Sequence, residues 1–232
     1  MFESKVRPIV IPQAEHGKLA GALAFLWGNA QFDLPAMDFA SFTLGVGLHD
    51  RGYGFQDAFA IGGISETAWL QLTRQGFYMA FTDPVADLLV KFHLQRLVSY
   101  GQAAPRQALF IEMEEVIQQH LECHHLSKAQ FLRIDRITNF CDMVSFDFCF
   151  EKPTTGALKI FPKNSSDEEI SLHYSINAGE IVIEPWPFSV ESYTGYVVGY
   201  QQQDYPIIIE PVLVPYQIRQ RSALEKQTIN NR

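Results

Sequence analysis

The chain has 232 residues, of which 47% are hydrophobic and 13% aromatic, so it carries enough apolar material for a packed core. The formal net charge of −8 argues against a nucleic-acid binder, because such proteins need a basic surface for the phosphate backbone. No stretch has secretory or membrane-spanning length, and the three cysteines lack zinc-ribbon or redox spacing, so we expect a cytoplasmic protein that does not enter a membrane.

The first two predicted helices each carry one histidine on an apolar stripe. From about Gln13 to Gly28, apolar residues recur at three- and four-residue steps, which predicts a helix that turns His16 inward. A second helix is predicted to begin near Pro35, a good first-turn residue, and places His49 at the end of its buried stripe. Gly52 and Gly54, which lie shortly after the pair His49-Asp50, would end this helix.

Four further helices follow, and one of them carries a third histidine. The helix that starts at Asp83, which would cap it, places His93 on its inner face. Of the other three, one is predicted to start at Ser65, and two are predicted to span residues 106–122 and 127–150.

The last of these helices carries two aspartates on one face. Asp135 and Asp142 are seven residues apart, and the surroundings of Asp142 are the more apolar. An ionised aspartate buried without a partner costs several kcal/mol, so it should be paired or bind a cation. We therefore expect Asp142 to point into the site, with Asp135 as the alternative because one heptad keeps both residues on the same face.

The adjacent pair His49-Asp50 lies between the other candidates along the chain. Imidazole nitrogens and carboxylate oxygens together form a mixed donor set suited to divalent metals. We therefore expect His16, His49, Asp50 and Asp142 to hold one or two divalent ions, with Mn, Fe, Zn, Ni and Mg as the candidates. For His93 two interpretations stay open: a ligand or substrate contact, or a core histidine bonded to a carbonyl.

Beyond residue 151 the chain turns to short β-branched and aromatic segments separated by turn residues, which predicts strands. The predicted strands are residues 158–161, 170–176, 181–183, 195–200 and 207–214. We expect a mainly α fold, in which a helical metal-binding core (residues 1–151) is packed by a small C-terminal antiparallel β-sheet subdomain (residues 152–218). A strand near Ile9 is a further candidate for this sheet, and residues 219–232 would form a polar tail.

The order H…HD…D of the candidate ligands resembles that of the HD-domain superfamily, which comprises helical metal-dependent phosphohydrolases. Four segments are also similar to an uncharacterised bacterial family with an HD-like core, although Tyr53 stands where tryptophan is expected. These segments are QAEHGKLAG (13–21), LHDRGYGFQD (48–57), LLVKFH (88–93) and EPWPF (184–188). The resemblance implies an HD-like helical bundle in which the four ligands expected above bind the metal.

The resemblance also implies a mechanism, in which the metal activates water to attack a small phosphorylated substrate. Asp50 would both bind the metal and accept a proton from the water. His93 would extend the site toward a second metal or face the substrate phosphate. Asp57, Tyr53 and Arg96 are candidates for orienting a ligand or contacting the substrate.

Two alternatives to a phosphohydrolase remain open at this point. A di-iron oxygenase on the same scaffold would require His93 as a ligand in a two-metal site. A non-catalytic ligand- or partner-binding protein would keep the helical body, with His16 and Asp142 pointing apart or with Asp50 tied to a basic residue. A homo-oligomer is compatible with each of these functions.

Overall fold

The structure is a computed structural model that describes residues 1–79, 81–207 and 210–222, apart from the side chains of residues 55 and 56. The helices are α1 (Gln13–Leu26), α2 (Phe39–Gly47), α3 (Glu66–Tyr78), α4 (Pro84–Ser99), α5 (Ala104–Cys123) and α6 (Lys128–Cys149), with a short 3-10 helix at Gly54–Ala58. The strands are β1 (Phe2–Glu3), β2 (Ile9–Ile11), β3 (Thr154–Ile160), β4 (Ile170–Asn177), β5 (Glu180–Glu184), β6 (Ser192–Gln201) and β7 (Pro211–Gln220). Within the described ranges, no helix is both long enough and apolar enough to cross a membrane.

All seven strands belong to one curled, half-barrel sheet with the order β1-β2-β6-β7-β5-β4-β3. The N-terminal strands join it through β2, where Val10 lies opposite Tyr200 of β6. Neighbouring strands are antiparallel except β5 and β7, which run parallel with Ile181 beside Ile218. The sheet therefore combines strands from both ends of the chain.

The expected mainly α fold with a small C-terminal antiparallel sheet is wrong. The chain is 45% helical and 22% strand, and its sheet has seven strands. The candidate strand near Ile9 is confirmed as β2, which joins the sheet beside β6, whereas β1 has only two residues, too few to show an alternating pattern in the sequence. The parallel pairing of β5 with β7 depends on how distant segments meet, which no local pattern reports.

The last part of the chain was expected to contain a strand at residues 207–214 and a polar tail from residue 219. Strand β7 instead begins at Pro211 and continues to Gln220. Residues 208–209 of the predicted strand, and residues 223–232 of the predicted tail, lie outside the described residues.

Three of the six predicted helix starts are confirmed by side-chain caps, and one is wrong. Asp83 accepts hydrogen bonds from two backbone amides of α4, and Ser65 and Ser127 cap α3 and α6 in the same way. Helix α2 begins at Phe39 rather than near Pro35, because the Asp38 carboxylate accepts the free Ser41 N–H at 2.8 Å. It also ends earlier than expected, at Gly47, and residues 48–53 continue as hydrogen-bonded turns.

A close contact between α1 and α2 brings the first two histidines together. A Cβ atom on Gly17 would lie 2.7 Å from the carbonyl oxygen of Gly47, so only glycine allows this separation of the helices. His16 directly precedes Gly17, and His49 follows Gly47 by two residues. The two imidazoles therefore meet at this crossing.

Candidate metal centre

Five of the residues expected at the site converge in the interior of the helical layer. His16 comes from α1, His49 and Asp50 from the turn after α2, His93 from α4 and Asp142 from α6. The histidines are fully or almost fully buried, and the side chains of Asp142 and Asp50 are 8% and 14% exposed. The site is thus enclosed, and Asp50 is its most accessible carboxylate.

Three donor atoms, from His16, His49 and Asp142, lie at distances suited to one metal ion, and Asp50 forms a second, overlapping group with His49 and His93. The Nε2 atoms of His16 and His49 are 2.9 Å apart, and each is 3.4 Å from Asp142 Oδ1. Asp50 Oδ2 is 3.4 Å from His16 Nε2 and 3.8 Å from His49 Nε2. Ligand atoms that are each about 2.1 Å from a metal are separated by about 3.0 Å at a right angle and about 3.4 Å at the tetrahedral angle. The group of His16, His49 and Asp142 therefore fits a small divalent cation, with Asp50 Oδ2 3.4 Å from His16 Nε2.

The other ring nitrogens of the two histidines determine which nitrogens carry hydrogen. His49 Nδ1 lies 2.6 Å from the Val46 carbonyl oxygen, which only accepts, so Nδ1 donates. The Ser145 hydroxyl donates to the Cys141 carbonyl at 2.8 Å and accepts from His16 Nδ1, also at 2.8 Å. Both Nε2 atoms consequently present lone pairs, as metal-binding histidines do.

Two bare nitrogens and two carboxylates that face one another require a proton or a cation between them. Burial lowers the pKa of His16, but hydrogen bonds to Asp142 and Asp50 outweigh burial and raise the pKa to about 9. Burial opposes ionisation of Asp142, yet hydrogen bonds from His16 and His49 hold its pKa well below the ordinary value. Without metal, the site therefore takes up a proton at His16, while its carboxylates stay ionised.

His93 has the opposite tautomer from the other two histidines. Arg96 Nη2 lies 2.8 Å from His93 Nδ1, and a guanidinium only donates, so Nδ1 accepts. The hydrogen of the neutral ring is then on Nε2, which donates to Asp50 Oδ1 at 3.2 Å. Burial lowers the pKa of His93, which favours this neutral form. His93 thus holds the second oxygen of Asp50 and directs no lone pair toward it.

Arg96 also accounts for the aspartate that stays outside the ligand cluster. Its Nε donates to Asp135 at 2.9 Å, and its Nη1 donates to Asn139 at 2.6 Å. Asp135 therefore pairs with a cation on the neighbouring helix, whereas Asp142 meets the histidines. The guanidinium that was a candidate substrate contact is occupied by groups on α4 and α6.

The other two candidates, Asp57 and Tyr53, support the site from outside. Asp57 Oδ1 accepts the backbone N–H of Gln13 at 2.9 Å, which fixes the first turn of the helix that carries His16. The Tyr53 hydroxyl lies 2.6 Å from Thr73 Oγ1 and ties the turn after α2 to α3. Each side chain fixes the position of a backbone segment. Neither of these hydrogen bonds goes to a candidate ligand histidine.

A cavity of about 400 Å³ opens beside Asp50. Of the five residues that converge at the site, Asp50 is the one that lines this cavity. Its aromatic and aliphatic walls are Tyr53, Ile61, Ile64, Trp69, Leu97 and Phe146. Its remaining polar side chains are Gln13, Glu66 and Arg106. Apart from Tyr53, these residues were not predicted from the sequence, because they come from several helices and loops and form no motif.

Comparison with known protein families gives one match. Residues 65–201 match the family model described as "Protein of unknown function (DUF3891)", which is more than half of the chain. The chain belongs to the DUF3891 family. The matched DUF3891 region contains His93 and Asp142, while His16, His49 and Asp50 precede it. No curated protein and no solved structure matches the chain, so these comparisons do not bear on the resemblance to HD-domain proteins.

Proposed function

We propose that this DUF3891 protein is a metal-dependent phosphohydrolase whose divalent cation is held by His16, His49, Asp50 and Asp142. The observation that carries the proposal is the group of three buried atoms, His16 Nε2, His49 Nε2 and Asp142 Oδ1, in which neither Nε2 carries hydrogen when the rings are neutral. Asp50 Oδ2 lies beside this group, 3.4 Å from His16 Nε2. Mixed nitrogen and oxygen ligands suit Zn, Fe and Mn. The resemblance of the ligand order to H…HD…D supports phosphoester hydrolysis as the reaction.

A divalent cation held by His16, His49, Asp50 and Asp142 would lower the pKa of a water molecule and polarise a phosphoryl oxygen. The residues of the chain position the remaining groups. Asp50 lines the cavity, and its carboxylate lies between His16 on one side and His93 on the other. It is therefore placed to accept a proton from water that enters the cavity. His93 donates to the other oxygen of Asp50 and fixes the orientation of that carboxylate.

The alternatives fit these contacts less well. A di-iron oxygenase needs a lone pair from His93, but the Arg96 contact places the hydrogen on His93 Nε2. A non-catalytic protein was expected to have His16 and Asp142 pointing apart or Asp50 tied to a basic residue. His16 Nε2 and Asp142 Oδ1 are instead 3.4 Å from each other, and among the described residues the charged-pair contacts of Asp50 are with histidines rather than with a lysine or arginine. A hydrolase with one metal ion is therefore the function we favour.

Elemental analysis of purified protein, reconstituted with Mn, Fe or Zn, tests this proposal. The wild type should hold one equivalent of metal, and Asp50→Ala and Asp142→Asn should lose it. Asp147→Asn is the matched control, because Asp147 lies on the same helix as Asp142 but bonds to the Tyr174 hydroxyl. Hydrolysis of a panel of phosphate monoesters should follow metal content across these variants. Absence of stoichiometric metal from the reconstituted wild type would refute the proposal.

A further inference from the structure

The cavity beside Asp50 is mainly apolar. Six of its eleven lining residues are the aromatic and aliphatic side chains named above, and Trp69 is the largest of them. Its volume of about 400 Å³ lies toward the lower end of the range for pockets that enclose small organic ligands, about 300–1,000 Å³. Such walls favour a compact apolar group over a sugar with many hydroxyls.

The cavity offers little positive charge of its own. Arg106 is the one Lys or Arg residue among those that line it. Its Nε donates to Glu66 at 2.7 Å, and its guanidinium lies 4.6 Å from the centre of the Trp69 ring. Because Glu66 neutralises this cation, the cavity is poorly suited to a second or third phosphate group, which requires clustered cations or free backbone amides.

One polar atom in the cavity wall has no partner. Gln13 is 7% exposed and lines the cavity, and its Oε1 atom makes no hydrogen bond. The Asp57 carboxylate holds the backbone of Gln13 in place. A buried carbonyl oxygen without a donor is unfavourable, so rotation of the Gln13 amide that turns Oε1 toward a donor in the cavity would be favourable.

From these observations we propose that the substrate is a phosphate monoester of a compact, ring-sized apolar alcohol that bears one hydroxyl or amino donor. The ring packs against Trp69, the donor bonds to Gln13 Oε1, and the single phosphoryl group lies at the cation beside Asp50. In the reaction, water adds to phosphorus and the bond from phosphorus to the alcohol oxygen breaks. Water gives one proton to Asp50, the leaving alcohol oxygen takes a proton from solvent, and Asp50 afterwards releases its proton to solvent. The products are the alcohol and inorganic phosphate. This assignment rests on the phosphohydrolase function proposed above.

Titration calorimetry of the metal-loaded protein with phosphonates, which are not hydrolysed, tests the substrate class. Benzylphosphonate should bind at least about tenfold more tightly than methylphosphonate, because the ring is buried in the cavity. A second phosphonate on the ring should weaken binding, since no free cation is there to receive it. Equal affinity for the benzyl and methyl compounds, or tighter binding of the bisphosphonate, would overturn the proposal.

Variants assign the preference to particular side chains. Trp69→Ala should reduce the affinity for benzylphosphonate about tenfold and leave that for methylphosphonate unchanged. Tyr78→Ala, which removes an aromatic side chain from the same helix outside the cavity, should change neither. Should Trp69→Ala fail to fold, Ile64→Trp serves instead, because Ile64 is half-buried in the cavity wall and a larger side chain there narrows the cavity. This variant should also lose affinity for benzylphosphonate and not for methylphosphonate. A loss shared equally by both ligands would contradict the role of the cavity.

The role of Gln13 has its own readout. Among the ortho-, meta- and para-hydroxybenzylphosphonates, one isomer should bind more tightly than benzylphosphonate, and Gln13→Met should erase that advantage alone. No advantage for any isomer in the wild type would refute the role of Gln13. Because binding and turnover are measured separately, selective binding without hydrolysis of any benzyl phosphate would refute the hydrolase but not the ligand class. Equal kcat/KM for methyl and benzyl phosphates would refute the ligand class but not the hydrolase.

Discussion

Replacing Arg96 by methionine removes the cation that connects α4 with α6. The side chains of Arg96 and Asp135 are only 13% and 10% exposed, and Asp135 Oδ1 already lacks a hydrogen-bond partner. Arg96→Met would therefore leave a buried carboxylate without a counter-charge, a change that typically costs about 3–5 kcal/mol. For a chain of this size, that loss corresponds to a fall in Tm of about 6–20 °C.

Thermal and urea denaturation of the metal-free variants measure this loss. Arg136→Met is the matched control, because Arg136 lies on α6 and its side chain is 50% exposed where it pairs with Glu169, so its loss should cost about 0–1 kcal/mol. The double variant Arg96→Met/Asp135→Asn should recover part of the stability, since a neutral amide needs no cation. An Arg96→Met variant as stable as Arg136→Met, or a double variant with no recovery, would refute the ion-pair argument.

The same substitution tests the tautomer of His93. In the wild type, nitrogen NMR should show the hydrogen of His93 on Nε2, because Nδ1 accepts from Arg96. In Arg96→Met this constraint is lost, and the signal should shift toward a mixture of tautomers. A wild-type ring with its hydrogen on Nδ1 would contradict the assignment and would make His93 available as a second-metal ligand.

Three further predictions concern the metal site. Gly17→Ala should destabilise the protein by about 1–3 kcal/mol in urea denaturation and lower its metal content, because the new Cβ meets the Gly47 carbonyl oxygen. Gly54→Ala, with nothing within 4 Å, is the control and should change neither quantity. Metal at about 100 times its Kd should stabilise the protein by about 2.7 kcal/mol, and an unchanged Tm with Mn, Fe and Zn would contradict this. Metal affinity should rise by up to about tenfold per pH unit and level off near pH 9, since binding displaces the proton from His16, whose metal-free pKa is about 9. Calorimetry across this range checks the slope, and a flat profile would exclude His16 as a ligand.

The sequence predicts the positions of the candidate ligands better than it predicts the fold. Four-residue apolar spacing placed His16 and His93 correctly on buried helix faces, because a helix has one period along its whole length. It could not separate Asp135 from Asp142, since a heptad returns both to one face. The contact that separates them comes from Arg96 on another helix, and such a pairing has no local signature.

The error in fold class has a similar physical origin. The strand segments after residue 151 and the candidate strand near Ile9 follow from their composition, but the sheet is completed by Phe2–Glu3, which contains too few residues for a period to be visible. The N-terminal strands take their places in the sheet from their partners, as β2 does from its pairing with β6. A sequence pattern therefore reports which face of an element is buried, but not which distant element covers it.

The same distinction applies to the chemistry of the candidate site. The pattern H…HD…D contains the atoms that could bind metal, but it contains none of the groups that fix their hydrogens. The Val46 carbonyl and the Ser145 hydroxyl leave His49 Nε2 and His16 Nε2 bare, whereas Arg96 places the hydrogen of His93 on Nε2. Three histidines of similar burial thus differ in the nitrogen that carries hydrogen, and His16 and His49 turn a bare Nε2 toward Asp142 whereas His93 donates to Asp50. Under the proposed function, the number of metal ions follows from these partners, and exchanging Arg96 for a hydrogen-bond acceptor such as Glu is the change with which to seek a second metal ion.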